Sequence, residues 1–378
     1  MSDSKKKVAI VYDWIDKWGG VERVLLHLHS LLPDADFFTS AVEYKHAQWA
    51  RDLSIHPSFL QSIPYWLRSN RVLMAPLFPL AFESIRLNEY DLVISVTSAF
   101  AKGVITKPGT KHICYLLTPP RYLWSHTKDY LPGIKSIIAS PVYTHLQQWD
   151  KIASHRPDTY ISISQTTADR SKKYYGIDSP VVFPPFDTNY WDTKKITMKK
   201  PSSAPCEKPY YLWVGRMESY KKMDIIIDTA RLNLTRTYIF VGSGSLEKSL
   251  RKNAPINCFF LSGISDDELS YLYSHAQALI MPQNEDFGYV SLEAQYHGCP
   301  VIAYRAGGAC ETVIENESGL FFNNQTGLSL AARLERFEQI SYNLSHSTRQ
   351  MKKAIRAKFG VQRFNDQFHY QLKQLNLL

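Results

Sequence analysis

Cysteine is scarce in this chain and irregularly placed. The five cysteines, at 114, 206, 258, 299 and 310, show no Cys-x-x-Cys spacing and are odd in number. That argues against a disulfide framework or a cysteine-based zinc site and for a reducing compartment. Long apolar runs are also missing. The longest, Val72 to Phe82, holds Pro76 and Pro79 and is too short to span a bilayer. The opening residues pass from Lys5, Lys6 and Lys7 straight into an apolar strand pattern, with no h-region or cleavage site. The expectation is a cytoplasmic protein. The Asn-x-Ser/Thr triplets at Asn233, Asn316 and Asn343 are then read as chance. No Gly-x-Gly-x-x-Gly fingerprint follows the first strand, which argues against a nicotinamide-dependent oxidoreductase. No motif supports nucleic-acid binding. An Asp-x-Asp stands at Asp34 and Asp36 without carboxylate neighbours, so no metal is expected.

What is present is an ordinary globular composition over 378 residues, enough for two domains or three. The formal charge is +9 and uneven: residues 1–200 carry 25 Lys+Arg against 18 Asp+Glu, or +7, and residues 201–378 carry 19 against 17, or +2. A basic first half suits an anionic surface or ligand. Residues 44–83 mix Tyr44, Trp49, Trp66, Arg51, Arg68 and Arg71 with leucines and prolines. This composition suits contact with a membrane surface or an ordinary buried helical insertion.

The apolar pattern is that of an α/β protein. Val8 to Tyr12 reads as a strand, Gly19-Gly20 as a loop and "VERVLLHLHSLL" as a helix. "DADFFTS", "YDLVISVTS", "GVITK", "HICYLL", "DTYISISQTT" and "PVVFPP" read as further strands of the first half. Residues 193–208 lose periodicity, gather Lys, Ser and Pro, and read as a linker after a first domain of 1–192. A second domain, 209–360, restarts the alternation with "YYLWVGR", "MDIIIDTARL", "YIFVGSGS", "FFLSG", "ALIMP" and "PVIAYRAGG". Residues 361–378 are expected to form a helix that packs back on the first domain. Such alternation implies parallel sheets with helices on both faces and ligands at the carboxyl ends of the strands. Two such sheets side by side would flank a cleft.

Three stretches carry candidate chemistry. Gly19 and Gly20 lie between a strand and a helix, where backbone can approach a phosphate or sugar, or merely turn. Arg216 stands at a strand's carboxyl end, with Lys221 and Lys222 at the start of a helix. Cations are unfavourable at a helix start unless an anion sits there, and a diphosphate would suit. In "NEDFGYVSLEAQYHGCP", Glu285 lies on a loop and Glu293 two turns into a helix capped by Gly298. The amides of Phe287, Gly288, Tyr289 and Val290 lie at the helix start, where an anion or hydroxyl can accept from them. Glu293 would need a polar partner such as ribose hydroxyls. Surface lysines and a helix-face acid paired to a nearby Lys are the plain alternatives. "VGSGS", residues 241–245, either touches a nucleotide or only turns the chain.

Together these stretches resemble family-4 glycosyltransferases, retaining enzymes built from two Rossmann-like domains facing a central cleft, the GT-B architecture. The resemblance runs through "GGVERVL", "LVISVTSAFAKG", "TPPRYLW", "GRMESYKKMDIII", the Glu-x7-Glu element from Glu285 to Glu293, and "SGLFF", and it looks most like bacterial O-antigen or exopolysaccharide mannosyltransferases. It implies a metal-independent hexosyltransferase without a cofactor, using a nucleotide sugar, GDP-mannose before a UDP-hexose. Its acceptor would be a glycan or lipid-linked glycan at the inner face of the membrane. Arg216 and Lys221 would bind the donor diphosphate and stabilise the leaving group. Glu285 would contact the donor sugar, and the amides from Phe287 to Val290 would hold hydroxyls and phosphate. Glu293 would bind the ribose, and Gly19-Gly20 would approach the diphosphate. In place of the histidine that many relatives carry before "TP", this chain has Leu117. His112 and His126 lie nearby but do not match the position. That departure keeps a non-catalytic sugar-nucleotide or glycan-binding protein as the alternative. Lys222 stands where many relatives have glycine.

Overall fold

The computed structural model describes residues 6–125, 134–202, 204–205, 209–345 and 348–374. Cys206 and His126 lie outside these. The chain divides into two compact units, Met1–Pro185 with Phe364–Leu378, and Phe186–Arg363.

The first unit holds β1 (Val8–Tyr12), β2 (Asp36–Thr39), β3 (Ile55–Pro57), β4 (Leu92–Thr97), β5 (Lys111–Leu116) and β6 (Thr159–Ser162). They form one parallel sheet in the order β3-β2-β1-β4-β5-β6. In β1 and β4 nearly every residue is buried, because helices cover both faces of a parallel sheet. The second unit holds β7 (Tyr210–Val214), β8 (Thr237–Val241), β9 (Cys258–Leu261), β10 (Ala278–Met281), β11 (Val301–Tyr304) and β12 (Gly319–Phe322), ordered β12-β11-β10-β7-β8-β9. With β7 as first strand, this is the same doubly wound order as in the first unit. The strand order reverses between β1 and β4, and again between β7 and β10. These reversals open a crevice at the strands' carboxyl ends, where doubly wound sheets bind ligands. The two-Rossmann-unit fold of GT-B type follows from these two sheets.

Three sequence expectations need correction. "GVITK" is no strand: Gly103 ends a short helical turn, and the chain then runs irregularly to Pro108-Gly109 and into β5. "PVVFPP" makes only a single bridge, Ser162 to Val181. Pro180, Pro184 and Pro185 have no N–H to give a ladder. The boundary falls at Pro185, not at 192, and the first four residues of the expected linker, 193–196, are helical. Helix Thr188–Ile196 buries Trp191, whose ring meets those of Tyr273 and His297 edge-on. Lys194 and Thr197 bind Asp267, and the Lys199 N–H bonds its carbonyl (3.2 Å). One aromatic anchor and a few polar bonds hold this helix, too little to show as periodicity. At the chain's end, Gly360 separates helix Thr348–Phe359 from helix Val361–Gln374. In the latter, Phe364 and Phe368 stack on each other and meet the Tyr115 ring of β5.

Candidate active site

In the second unit, the loop after β7 and the loop after β10 leave the sheet on either side of the reversal. They bring together Lys221 and Glu285. The Lys221 ammonium donates to Glu285 Oε1, and both side chains are largely buried, at 13% and 16% exposure. Gln283 Nε2 donates to the same oxygen (3.0 Å). Arg216 does not join this pair: it is exposed, and its Nη2 reaches the Tyr220 hydroxyl (3.2 Å). Lys221 lies 5.4 Å from the same Tyr220 ring. The Arg216 loop is braced by "VGSGS", since Met217 N–H bonds Ser243 O (2.9 Å) and Ser245 Oγ bonds Glu218 (2.6 Å). The Gly-x-Gly turn therefore shapes the wall of the loop that carries Arg216.

Lys222 is the N-cap of helix Met223–Leu232 and has φ +54°, in the left-handed region. A glycine is the residue for which that conformation carries no Cβ penalty. The structure thus gives a physical reason for glycine at this position.

The Glu285–Glu293 element is a loop closed onto the next strand connection. Gly288, at φ +87°, caps helix Tyr289–Tyr296. The amides of Tyr289 and Val290 thus fall in the first turn, which has no earlier carbonyl in the helix to bond. Phe287 is buried against Phe359. Gly307 and Gly308 press on this loop from the β11 side. A Cβ on Gly307 would lie 2.2 Å from Glu285 O, and one on Gly308 would lie 2.3 Å from Phe287 O. The Gly308 N–H bonds Glu285 O (2.8 Å). Glu293, 4% exposed, accepts from the Tyr273 hydroxyl at Oε2 (2.8 Å). That protein partner was not legible in the sequence. One turn on, His297 bonds Ser270 Oγ (2.7 Å) and Glu293 O (2.8 Å) through its two ring nitrogens. Burial pushes its pKa down to about 4, with the Glu293 carbonyl opposing. Gly298, at φ +84°, ends the helix.

In the first unit, Gly19 caps helix Gly20–Leu31 in extended backbone, and a Cβ there would lie 3.0 Å from Glu22 Oε2. The reversal between β1 and β4 is filled by a residue that the sequence reading passed over. Buried Asp13 accepts from Thr97 Oγ1 (2.8 Å) and from the backbone N–H groups of Ser98 (2.7 Å), Phe100 (2.8 Å) and Ala101 (2.8 Å). A carboxylate of the chain itself thus takes the place where such sheets usually receive an anion. Its signal in the sequence is an acid directly after an apolar strand. Leu117 is buried at the end of β5, with its carbonyl accepting from Thr167 Oγ1 (3.1 Å). His112 lies inside the sheet against Ser95 Oγ (2.9 Å), and burial brings its pKa down to about 4. Asp36 of the Asp-x-Asp is engaged by Ser54 (2.7 Å) and Tyr90 (2.8 Å). Among the described residues, no group of three or more His, Cys, Asp and Glu stands ready for a metal ion.

Comparison with known proteins bears on the family and the fold. The family "Glycosyltransferase Family 4" matches residues 18–190, and "Glycosyl transferases group 1" matches residues 194–358. Alpha-1,3/1,6-mannosyltransferase ALG2 of Homo sapiens is 24% identical over 281 residues, covering 67% of each chain. Sulfoquinovosyl transferase SQD2 of Arabidopsis thaliana is 29% identical over 38% of this chain and 28% of its own, so the chain spans about a quarter of that relative's length. Among solved structures, Anabaena HepE in complex with UDP superposes with a TM-score of 0.70 at 18% identity, over 97% of this chain and all of that one, a likeness of fold.

Proposed function

Since the chain belongs to the glycosyltransferases of family 4 and group 1, we propose that it is a retaining, metal-independent hexosyltransferase. Its donor is a nucleotide sugar, GDP-mannose in the leading reading. Its acceptor is a saccharide, carried on a lipid at the inner face of the membrane, in the assembly of a cell-surface polysaccharide. The observation that carries the reading is the convergence at one sheet reversal of Lys221, Glu285 and a helix start, with Glu293 buried behind them.

Breaking the bond between sugar and diphosphate leaves new negative charge on the nucleotide. Lys221 and the first-turn amides are prearranged to receive that charge, and they stabilise the transition state more than the ground state. Arg216, exposed beside Tyr220, adds a second cation at the diphosphate. Glu285, released from Lys221 when phosphate takes the lysine, faces the donor sugar. Glu293 turns its carboxylate to the ribose hydroxyls, with Tyr273 fixing its other side. The acceptor hydroxyl attacks on the face the diphosphate leaves, and the departing phosphate takes its proton. The reaction then needs no separate protein base, consistent with an apolar Leu117.

Mannose is favoured by the likeness to ALG2. The likeness in fold to HepE, whose structure holds UDP, keeps a UDP-hexose as the second donor. Thermal shift with GDP, UDP, ADP and their hexose conjugates decides between them. A rise with GDP and GDP-mannose alone supports the leading donor, and a rise with the UDP compounds replaces it. No rise with any of them favours a protein without transfer activity.

A further inference from the structure

Residues 71–83 are continuously helical, through Arg71–Met74, Ala75–Leu77 and Phe78–Glu83. Between Arg71 and Glu83 there is no polar side chain. Met74, Phe78, Ala81 and Phe82 form the inward face, packed into the first unit's core. The outward face is equally apolar. Val72, Leu73 and Leu80 are 57%, 56% and 57% exposed, and Pro76 between them is exposed too. A helix at a water boundary normally turns polar residues outward, and a helix apolar all round is covered on both sides. The neighbouring short helix, Tyr65–Arg68, packs on Arg71–Met74 and adds Trp66, 74% exposed.

We propose that this face, Trp66, Val72, Leu73, Pro76 and Leu80, docks the protein on an anionic lipid bilayer, without spanning it. Three features favour lipid over a protein partner. The outward face offers no hydrogen-bonding side chain from Val72 to Phe82, whereas protein interfaces carry about one hydrogen bond per 100–200 Å². An exposed tryptophan at its edge suits the headgroup level. Residues 43–86 carry five Lys+Arg against three Asp+Glu, net +2; Arg68 and Arg71 pair with Glu43 and Asp16, and Lys45, Arg51 and Arg86 are exposed against one exposed acid, Asp52. Such cations draw a protein to anionic headgroups. The inference deepens the proposed function and rests on it for its purpose, since a lipid-borne acceptor has to be met at the membrane surface.

The test is sedimentation with phosphatidylethanolamine–phosphatidylglycerol vesicles. It compares the full chain, Trp66→Ser combined with Leu73→Ser, and Leu328→Ser, which removes an apolar side chain 72% exposed in the second unit. The unsubstituted chain and Leu328→Ser are expected to pellet with vesicles, and the double variant to bind at least about tenfold more weakly. No pelleting of the unsubstituted chain overturns the proposal, as does equal pelleting of all three. Self-association in sedimentation velocity, lost in the double variant, without vesicle binding, would assign the face to a second copy and also overturn it. Should the double variant not fold, brominated-lipid quenching of tryptophan in the unsubstituted chain decides instead, and its absence sinks the proposal. Nucleotide calorimetry on the same preparations keeps the two readings apart. Nucleotide binding without vesicle binding removes only the docking surface, and vesicle binding without nucleotide binding removes only the transfer reading.

Discussion

Lys221 and Glu285 hold each other, and on the proposed reading the donor diphosphate takes the lysine from the glutamate. On that reading Lys221→Ala removes a charge-assisted contact to the leaving group and is expected to lower kcat by roughly 10²-fold or more. Steady-state kinetics beside a thermal melt check it, because a merely structural lysine would lower the melt instead. Glu293 differs in that the protein already gives it the Tyr273 hydroxyl. Glu293→Gln should weaken nucleotide binding by about 1–3 kcal/mol, through hydrogen bonds to ribose that only a carboxylate accepts from both hydroxyls. Calorimetry with the nucleotide reads this, and an unchanged affinity would count against a ribose contact. Lys222 offers a stability test free of the chemistry. Its left-handed backbone costs a side chain about 1–2 kcal/mol, of which glycine's greater unfolded freedom returns a part. Lys222→Gly should therefore raise stability by up to about 1 kcal/mol in urea melts, and a loss would show that the lysine side chain has a stabilising role.

At the scale of elements, the strongest signals in the sequence were the strands and helices with clear periods. "MDIIIDTARL" is helix Met223–Leu232, "ALIMP" and "YDLVISVTS" contain β10 and β4, and "HICYLL" holds all of β5 but Lys111. Misread elements were those whose form depends on partners far along the chain. "GVITK" has the composition of a strand but no neighbour to pair with, and "PVVFPP" has neighbours but lacks the N–H groups. Helix Thr188–Ile196 runs into the expected linker because Trp191 is its one large buried apolar side chain, and its other fastenings are polar bonds to residues far along the chain, Asp266, Asp267, Tyr296 and Lys352. The site was half legible for the same reason. Charge at a helix start and a Glu-x7-Glu spacing are local, and they pointed to Lys221, Glu285 and Glu293. Gln283 is local too, two residues before Glu285, whereas Tyr273 and the Gly307-Gly308 pair that presses on the loop are brought in by topology alone. That pair carries its own prediction. Gly308→Ala puts a methyl within 2.3 Å of Phe287 O, so the 284–288 loop has to move. Shifts of this size at a preorganised site cost about 10²-fold in rate. Kinetics should show the loss in kcat, and the melt should fall as well, since the atoms displaced are backbone of a loop that carries buried Phe287. An active variant would mean the loop is not held to one geometry.

At the scale of the whole molecule, the two units repeat one strand order without a sequence repeat, and each buries a histidine. His112 is enclosed in the first unit and His297 in the second, and burial brings both to about 4. In the unfolded chain each titrates near the ordinary histidine value of about 6.5. Below that value the unfolded chain takes up protons that the folded units refuse, so folding loses free energy as pH falls. The loss continues until the folded histidines also protonate near pH 4, and it is flat below. The stability is fully present above about pH 6.5, and each histidine withdraws up to about 3 kcal/mol across the window. Because one such group sits in each unit, both should weaken together as pH falls. Thermal melts at stepped pH are expected to slope downward below about 6.5. His112→Gln, of similar shape and without a titrating proton, should flatten the slope for the first unit only. On the proposed reading a nucleotide protects the second unit, and the transition that it protects would keep its pH dependence. A variant whose two transitions both keep the parent's slope would place the acid sensitivity elsewhere, in paired carboxylates such as Asp192, which hydrogen bonds from Tyr296 and Lys352 hold below the usual range against the opposing effect of burial.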